Sequence, residues 1–187
     1  MPIVINLFGA PSAGKSTGAA YIFSKLKLAG INAELVTEFA KEKTWEHNEE
    51  ALKNQAYMFG NQYYMISRCS DKVDVIVTDS PLPLSIVYNT DKKLGTKFNE
   101  VVLNVFNSFD NINFYVQRVK PYNPVGRNQT EEQSNQLTGP ILNVLLNNYI
   151  PYKQINGDKE GYDFAINYIL DYLKNNVGLS MESKNVI

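Results

Sequence analysis

Cysteine and histidine are nearly absent from this sequence. The 187 residues contain one of each, Cys69 and His47. A disulfide needs two cysteines, and a structural zinc site of this chemistry needs four cysteine or histidine ligands. The sequence therefore excludes a disulfide framework and a cysteine and histidine zinc site.

An excess of one charge and long apolar runs are missing as well. Lysine and arginine number 18 against 19 acidic residues, which gives a formal net charge of −1. This balance provides no global attraction to nucleic acid or an anionic membrane, so a DNA partner is disfavoured, although a local basic patch is not excluded. No stretch approaches the roughly 18 apolar residues of a membrane span, and the N-terminus lacks a basic leader. We expect a cytoplasmic protein without a membrane partner.

Short apolar stretches alternate with helical patterns along the chain. Strands are predicted at residues 3–8, 32–37, 73–78, 112–117 and 152–155. Helices are predicted at residues 16–29, 49–68, 94–109, 131–149 (with a kink at Gly139-Pro140) and 162–173. Such alternation forms parallel βαβ units, and the length suits one domain. The sequence predicts an α/β domain over residues 1–175 with a five-stranded parallel sheet, and a flexible tail over residues 176–187.

A glycine-rich motif follows the first predicted strand and opens the first helix. Residues 9–16 read GAPSAGKS, which fits the pattern G-x-x-x-x-G-K-[ST] at every fixed position. Glycines let successive N–H groups turn toward phosphate oxygens, and the helix start adds the positive end of its dipole. Lys15 is expected to neutralise the β- and γ-phosphates, Ser16 to bind Mg²⁺, and Thr17 to lie near the α-phosphate. The predicted ATP-binding residues here are Gly9, Ala10, Pro11, Ser12, Ala13, Gly14, Lys15, Ser16 and Thr17.

Other classes of P-loop protein fit the sequence less well. GTP switches carry a DxxG turn and an N-K-x-D motif, whereas residues 79–82 read DSPL and no N-K-x-D occurs. AAA-type motors need a further helical lid domain, for which little chain remains. A small kinase needs an acceptor pocket, a carboxylate near the acceptor hydroxyl and a basic lid. The sequence offers a candidate for each.

Two acidic residues, Glu38 and Asp79, directly follow the second and third predicted strands. Ligands gather at the carboxyl ends of strands in open α/β sheets, so neighbouring strands would bring both carboxylates beside the phosphate loop. Asp79 resembles a Walker B aspartate that holds Mg²⁺ through its waters. Glu38 could accept the proton of the attacking hydroxyl or bind a sugar hydroxyl. A solvated residue at a strand end is the alternative for each.

The long helix predicted after the second strand offers an acceptor site. Phe59, Gln62 and Tyr63 lie at positions i, i+3 and i+4 and share one face. Gln62 is expected to hydrogen-bond a base while the aromatic rings stack on it, and Gln55 and Trp45 are further candidates. An amphipathic helix with core aromatics and solvated glutamines is equally consistent with the pattern.

Basic residues gather in a loop near residues 118–132, the predicted lid. Arg118 and Lys120 end the fourth strand, and Arg127 lies farther along the loop. Guanidinium groups from a loop can stabilise charge on a transferred phosphoryl group, and loop closure excludes water. Arg118 and Arg127 are therefore predicted catalytic residues, with a solvated basic loop as the alternative. Thr130 is expected to cap the following helix.

Taken together, these residues resemble the small P-loop nucleoside and nucleotide kinases. The sequence is similar to the deoxynucleoside kinases and the nicotinamide riboside kinase domain, in a style common among phage-encoded kinases. The resemblance implies a three-layer P-loop NTPase fold and transfer of phosphate from Mg²⁺–ATP to a nucleoside or nucleotide. In deoxynucleoside kinases a glutamate after the second strand is the base and a nearby tryptophan lines the pocket, and Glu38 and Trp45 match them. Gln62 matches the glutamine that reads the base, and Arg118 and Arg127 match the lid arginines.

The sequence also departs from that family. An arginine follows the third-strand acidic residue in deoxynucleoside kinases, whereas Ser80 follows Asp79 here, so the roles of Glu38 and Asp79 are exchangeable. The family holds adenine with the loop after the last strand, where Asn156 and Gly157 stand. A kinase of hydroxymethylated bases in DNA and a P-loop ATPase or switch acting on a protein partner are the alternatives. Neither the acceptor nor the oligomeric state follows from the sequence.

Overall fold

Five strands and nine helices form the part of the chain that the computed structural model describes, residues 2–176. The strands are β1 Ile3–Phe8, β2 Ala33–Val36, β3 Val75–Thr78, β4 Asp110–Gln117 and β5 Lys153–Asn156. The helices are α1 Lys15–Leu28, α2 Phe39–Trp45, α3 Glu49–Lys53, α4 Gln55–Ser67, α5 Leu84–Tyr88, α6 Gly95–Asn107, α7 Glu131–Gln136, α8 Thr138–Asn147 and α9 Lys159–Asn176. Apart from Asn176, the predicted tail lies outside the described residues.

The strands form one parallel sheet in the order β2-β3-β1-β4-β5. Val75 lies opposite both Ile3 and Ala33, and Ile3 also lies opposite Asp110. All six residues of β1 are buried, as expected for a central parallel strand, and all except Asn6 are apolar. The prediction of an α/β fold with a five-stranded parallel sheet is confirmed. Its order places the carboxyl ends of β2, β3 and β1 side by side.

Helices cover both faces of the sheet and give the predicted three layers. One apolar cluster joins the sheet to α1 and α9, through Ile22, Leu26 and Ile169 among others. The other joins it to α4, α6 and α8, through residues such as Val102 and Leu145. The sheet therefore lies between two packed layers of helices, and the loops at the carboxyl ends of its strands start from this rigid core. Within residues 2–176, no helix has the length and apolar character to cross a membrane.

Asn54 interrupts the helix predicted over residues 49–68. It ends α3, and its side chain accepts the N–H of Tyr57 at 3.0 Å, so it also caps α4. Asparagine is a favoured capping residue because its side-chain oxygen satisfies an N–H that has no partner within the helix. The prediction of one continuous helix was wrong here, and the short helices α2 and α5 were not predicted.

The helix predicted over residues 131–149 is also divided. The break lies at Leu137, between α7 and α8, two residues before the predicted kink at Gly139-Pro140. Pro140 therefore falls in the first turn of α8, where its missing N–H leaves no helical hydrogen bond unmade. The predicted cap at Thr130 is confirmed. Its hydroxyl accepts a hydrogen bond from the N–H of Gln133, and the side-chain oxygen of Gln133 accepts one from the N–H of Thr130.

Candidate functional site

The phosphate loop, residues 9–17, leads from β1 into α1 at the carboxyl edge of the sheet. The backbone has positive φ at Gly9 (147°), Ser12 (65°) and Gly14 (102°). A side chain at Gly9 would place its Cβ 2.6 Å from the carbonyl oxygen of Val116, so only glycine fits there. Gly14 occupies the N-cap of α1 and provides no side-chain cap. The first N–H groups of α1 can therefore receive an anion.

Lys15 lies in the first turn of α1 and crosses the phosphate loop. Its ammonium donates hydrogen bonds to the carbonyl oxygens of Gly9 at 2.8 Å and Ala10 at 3.1 Å. Burial lowers the pKa of Lys15, while the Glu38 and Asp79 carboxylates act in the opposite direction. The charges of these three side chains are thus coupled, as the neighbouring positions of β1, β2 and β3 require.

Glu38 follows β2 and occupies the N-cap of α2, but its side chain makes no capping hydrogen bond. Its carboxylate instead lines the same pocket as Lys15. Burial raises the pKa of Glu38, the Lys15 charge opposes that effect, and the Asp79 charge adds to it. A carboxylate with a raised pKa is a better proton acceptor near neutral pH than an ordinary one.

Asp79 directly follows β3 and is only 3% exposed. Its Oδ1 is buried and accepts no hydrogen bond from any residue in the range 2–176. Leaving a carboxylate oxygen buried without a partner is costly, so this atom is suited to a ligand such as a hydrated cation. No three histidine, cysteine, aspartate or glutamate side chains among the described residues form a metal cluster. A cation here would need other ligands, such as the Ser16 hydroxyl and phosphate oxygens.

A cavity of about 220 Å³ extends from the phosphate loop to α4 and α5. Its far wall mixes apolar and polar side chains. The apolar ones are Phe39, Leu52, Met58 and Leu84. The polar ones include Gln55, Gln62, Ser85 and Tyr88. One cavity thus joins the phosphate loop to side chains of α2, α3, α4 and α5.

The face of α4 that meets this cavity differs from the predicted face. Gln55, Met58 and Gln62, spaced by three and four residues, line the cavity. Phe59 and Tyr63 do not, because they lie on the adjacent face. Their rings stack at 6.1 Å, and the Phe59 ring also packs edge-on against a ring of α6. Phe59 therefore joins α4 to the core, and Tyr63 lies exposed beside it; neither lines the pocket.

The Gln62 side chain forms hydrogen bonds within the protein. Its Oε1 accepts the N–H of Phe39 at 2.9 Å, and its Nε2 donates to the carbonyl oxygen of Thr37 at 3.3 Å and the hydroxyl of Thr78 at 3.4 Å. These bonds fix the backbone on both sides of Glu38 to the end of β3. Gln55, by contrast, donates one bond to the carbonyl oxygen of Leu52 at 3.0 Å. Gln55 thus lines the cavity with a less engaged amide than Gln62.

The predicted lid, residues 118–132, is hydrogen-bonded to the phosphate loop and to α2. The N–H of Asn123 donates to the Ser12 hydroxyl at 2.9 Å, and the amide of Asn128 donates to the Thr44 hydroxyl at 3.2 Å. Gly126, with φ 69°, packs against the indole of Trp45 so closely that a Cβ would lie 2.8 Å from the ring. Trp45 is 58% exposed and contacts the lid; it does not line the cavity.

The two predicted lid arginines have different surroundings. Arg127 lines the cavity, and its positive charge acts to lower the pKa of both Lys15 and Glu38. Arg118 does not line the cavity: it pairs with Glu131 at 3.3 Å, donates to Asn135, and lies over a tyrosine ring of the lid. The structure therefore brings only Arg127 to the phosphate loop and Glu38.

Asn156 and Gly157, predicted at the adenine, lie outside the cavity that contains the phosphate loop. Asn156 is exposed and borders a separate cavity of about 300 Å³ between β5 and α9. Gly157 is buried against the back of the phosphate loop, where a Cβ would collide with the carbonyl oxygen of Ala13. Its N–H donates to the carbonyl oxygen of Gln117 at 2.8 Å. Gly157 thus supports the loop from behind.

The fold and the site together define a P-loop protein of the kinase-like α/β type. A family model described as "AAA domain" matches residues 4–161, and the chain belongs to that family. No curated protein matches the sequence.

Solved structures with the same fold include two of NadR protein and one of a nucleoside kinase. A NadR structure in complex with NR is 21% identical with a TM-score of 0.67, over 98% of this chain and 54% of that one. NadR with NAD and AMP-PNP is 18% identical with a TM-score of 0.69, over 98% and 52%. Deoxyadenosine kinase from M. mycoides with bound dATP is 20% identical with a TM-score of 0.57, over 92% and 100%. The chain thus spans about half of the NadR chains, and the resemblance to small nucleoside and nucleotide kinases is confirmed in fold.

Proposed function

We propose that this protein is a kinase that transfers the γ-phosphoryl group of ATP to a nucleoside or nucleotide. The observation that carries the proposal is the single cavity that contains the phosphate loop, the Glu38 carboxylate and the Arg127 guanidinium. A donor, a proton acceptor and a lid cation are the parts that phosphoryl transfer needs in one place. The NR, AMP-PNP and dATP in the similar structures are ligands of the same chemical class.

The phosphate loop is suited to bind the triphosphate of ATP. The positive φ at Gly9 and Gly14 shapes the backbone, and the uncapped start of α1 offers N–H groups to phosphate oxygens. Lys15 supplies the compensating charge. Ser16 and the orphaned Oδ1 of Asp79 fit a hydrated Mg²⁺, which neutralises phosphate charge when it is bound.

Glu38 is positioned to act as the base. Glu38 lines the cavity, whereas Asp79 does not. This difference supports Glu38 as the residue that accepts the proton of the attacking hydroxyl. The hydroxyl oxygen of the acceptor forms a bond to the γ-phosphorus of ATP and gives its proton to Glu38. The bond between the γ-phosphorus and the oxygen that bridges it to the β-phosphate breaks, and ADP leaves. A neutral hydroxyl needs such a base, whereas a phosphate acceptor is already ionised and would be repelled by the carboxylate. A nucleoside is therefore the favoured acceptor.

Incubation with γ-labelled ATP and a panel of acceptors tests the proposal. The panel comprises nucleosides, nucleoside monophosphates and DNA containing hydroxymethylated bases, with Lys15→Ala as the inactive control. Label on a nucleoside is expected. Label on the DNA alone would instead identify a polymer kinase, and ATP hydrolysis without labelled acceptor would favour an ATPase or switch.

A further inference from the structure

Behind the phosphate loop, Tyr162 contacts the backbone from the first turn of α9. Its hydroxyl donates a hydrogen bond to the carbonyl oxygen of Gly14 at 2.9 Å, and the residue is 3% exposed. The same carbonyl accepts the N–H of Gly18 at 2.8 Å as the first hydrogen bond of α1. Both lone pairs of that oxygen are therefore used, one by the helix and one by Tyr162.

Gly18 explains how the ring reaches this position. It lies inside α1, where glycine weakens a helix relative to alanine. A Cβ on Gly18 would lie 2.6 Å and 2.9 Å from two carbons of the Tyr162 ring, closer than carbon atoms approach. The missing side chain makes room for the tyrosine, so the fit between α1 and α9 depends on both residues.

Peptide planarity links this contact to the front of the loop. The Gly14 carbonyl shares its peptide plane with the Lys15 N–H, and the two groups point in opposite directions. A bond that holds the carbonyl from behind therefore holds the Lys15 N–H toward the cavity. Gly157 lies close against the Ala13 carbonyl, whose peptide carries the N–H of Gly14, and leaves that carbonyl no room to turn backward.

We propose that Tyr162 is a positioning residue that, with Gly157, aims the N–H groups of Gly14 and Lys15 at the phosphates. The role toward phosphate rests on the proposed function, whereas the fixed orientation of the peptide does not. Nucleotide affinity thus depends on a hydroxyl group that lies outside the cavity and touches no substrate.

Tyr162→Phe removes only the hydroxyl and keeps the ring. One neutral hydrogen bond corresponds to about a fivefold effect, so the Kd for ATP should rise about fivefold by calorimetry. The NMR order parameter of the Lys15 N–H, measured without nucleotide, should fall. Tyr21→Phe is the matched control, because the Tyr21 hydroxyl donates to Asp163 at 2.8 Å across the same two helices. It should change neither the ATP affinity nor the Lys15 order parameter.

The two measurements separate the possible failures. An unchanged order parameter for the Lys15 N–H in Tyr162→Phe overturns the positioning role, whatever the protein binds. A lower order parameter in a protein whose wild type binds no ATP would keep the positioning role and reject the proposed function. Gly18→Ala gives a second test, since alanine should raise the melting temperature of an unobstructed helix. We expect a lower melting temperature and weaker ATP binding, and a stabilised variant with normal affinity contradicts the proposal.

Discussion

The two ends of the cavity are built in different ways. The phosphate end is made from the backbone of one contiguous segment, residues 9–17, at the start of α1. The acceptor end is made from side chains of α2, α3, α4, α5 and the lid, which are spread over a long stretch of the sequence. Spacing in the sequence therefore specifies the first end directly. The second depends on which face each helix turns toward the sheet, and variants at the two ends should fail differently.

Lys15→Ala should have the largest effect and should be confined to the phosphate end. The lost charge stabilises phosphates in the transition state, and transfer should fall by about 10³-fold. Lys25→Ala is the control, since Lys25 lies on the same helix with its ammonium 5.7 Å from the Tyr21 ring centre. Transfer assays and melting temperatures of both variants provide the measurement. Normal activity in Lys15→Ala would remove the loop from the mechanism.

Glu38→Gln tests the residue that lies between the phosphate end and the acceptor end of the cavity. The amide keeps the size of the side chain but cannot accept a proton, so transfer should slow by about 10²-fold or more. Wild-type transfer should decline as pH falls through the raised pKa of Glu38, because only the deprotonated carboxylate acts as a base. The rate of Glu38→Gln should lack that decline. Rates across a pH series, at saturating ATP, distinguish the two profiles.

Asp79→Asn is the counterpart of Glu38→Gln at the metal side. An amide is a weaker partner for a hydrated cation than a carboxylate, so the variant should need more Mg²⁺ for half-maximal transfer. Glu38→Gln should leave that requirement nearly unchanged. If Asp79→Asn abolishes transfer at saturating Mg²⁺ while Glu38→Gln shifts the Mg²⁺ requirement, the two roles are exchanged and Asp79 is the base.

The lid offers a comparison within one loop. Arg127→Ala should lower kcat by about 10- to 100-fold, the scale of one hydrogen bond to a charged group. Arg118→Ala should change kcat little, because Arg118 is engaged by Glu131 and Asn135 within the lid region. Steady-state kinetics of both variants test this difference. Equal losses in the two would mean that the lid closes further and brings Arg118 to the phosphates.

The sheet and the phosphate loop could be predicted because their signals are local. Apolar runs such as residues 3–8 mark central strands, and the loop motif fixes every position by spacing. Helices of five to seven residues, α2 and α5, were missed because one or two turns give no measurable periodicity. The division at Asn54 was missed because an asparagine inside a polar stretch is equally consistent with a helix interior and with the cap of a second helix.

The acceptor wall could be predicted only in part: Gln55 and Gln62 line the cavity, whereas Phe59 and Tyr63 do not, because α4 is apolar or aromatic on more than one face. Phe59 and Tyr63 satisfy the spacing of a binding face as well as Gln55 and Met58 do. The packing of α6 decides between them, since a ring of α6 meets Phe59 edge-on in the core. Tyr88, on the unpredicted helix α5, had no signal in the sequence.

Two glutamines on α4 allow the smallest predicted effect to be measured cleanly. Gln55 and Gln62 lie two turns apart and both line the cavity, but only Gln62 has its amide engaged on both sides of Glu38. Methionine has a similar length and no amide, so the same substitution isolates the hydrogen bonds at each position. Gln55→Met should raise the acceptor KM about fivefold and lower the melting temperature less than Gln62→Met does, because it removes a single hydrogen bond, to Leu52. Gln62→Met should cost about 1–3 kcal/mol of stability, because it leaves the N–H of Phe39 buried without a partner. It should also lower kcat, since the backbone that carries Glu38 loses its tie to β3. If Gln55→Met destabilises the protein and Gln62→Met raises only the acceptor KM, the helix turns its other glutamine to the substrate, and the assignment of the acceptor wall is reversed.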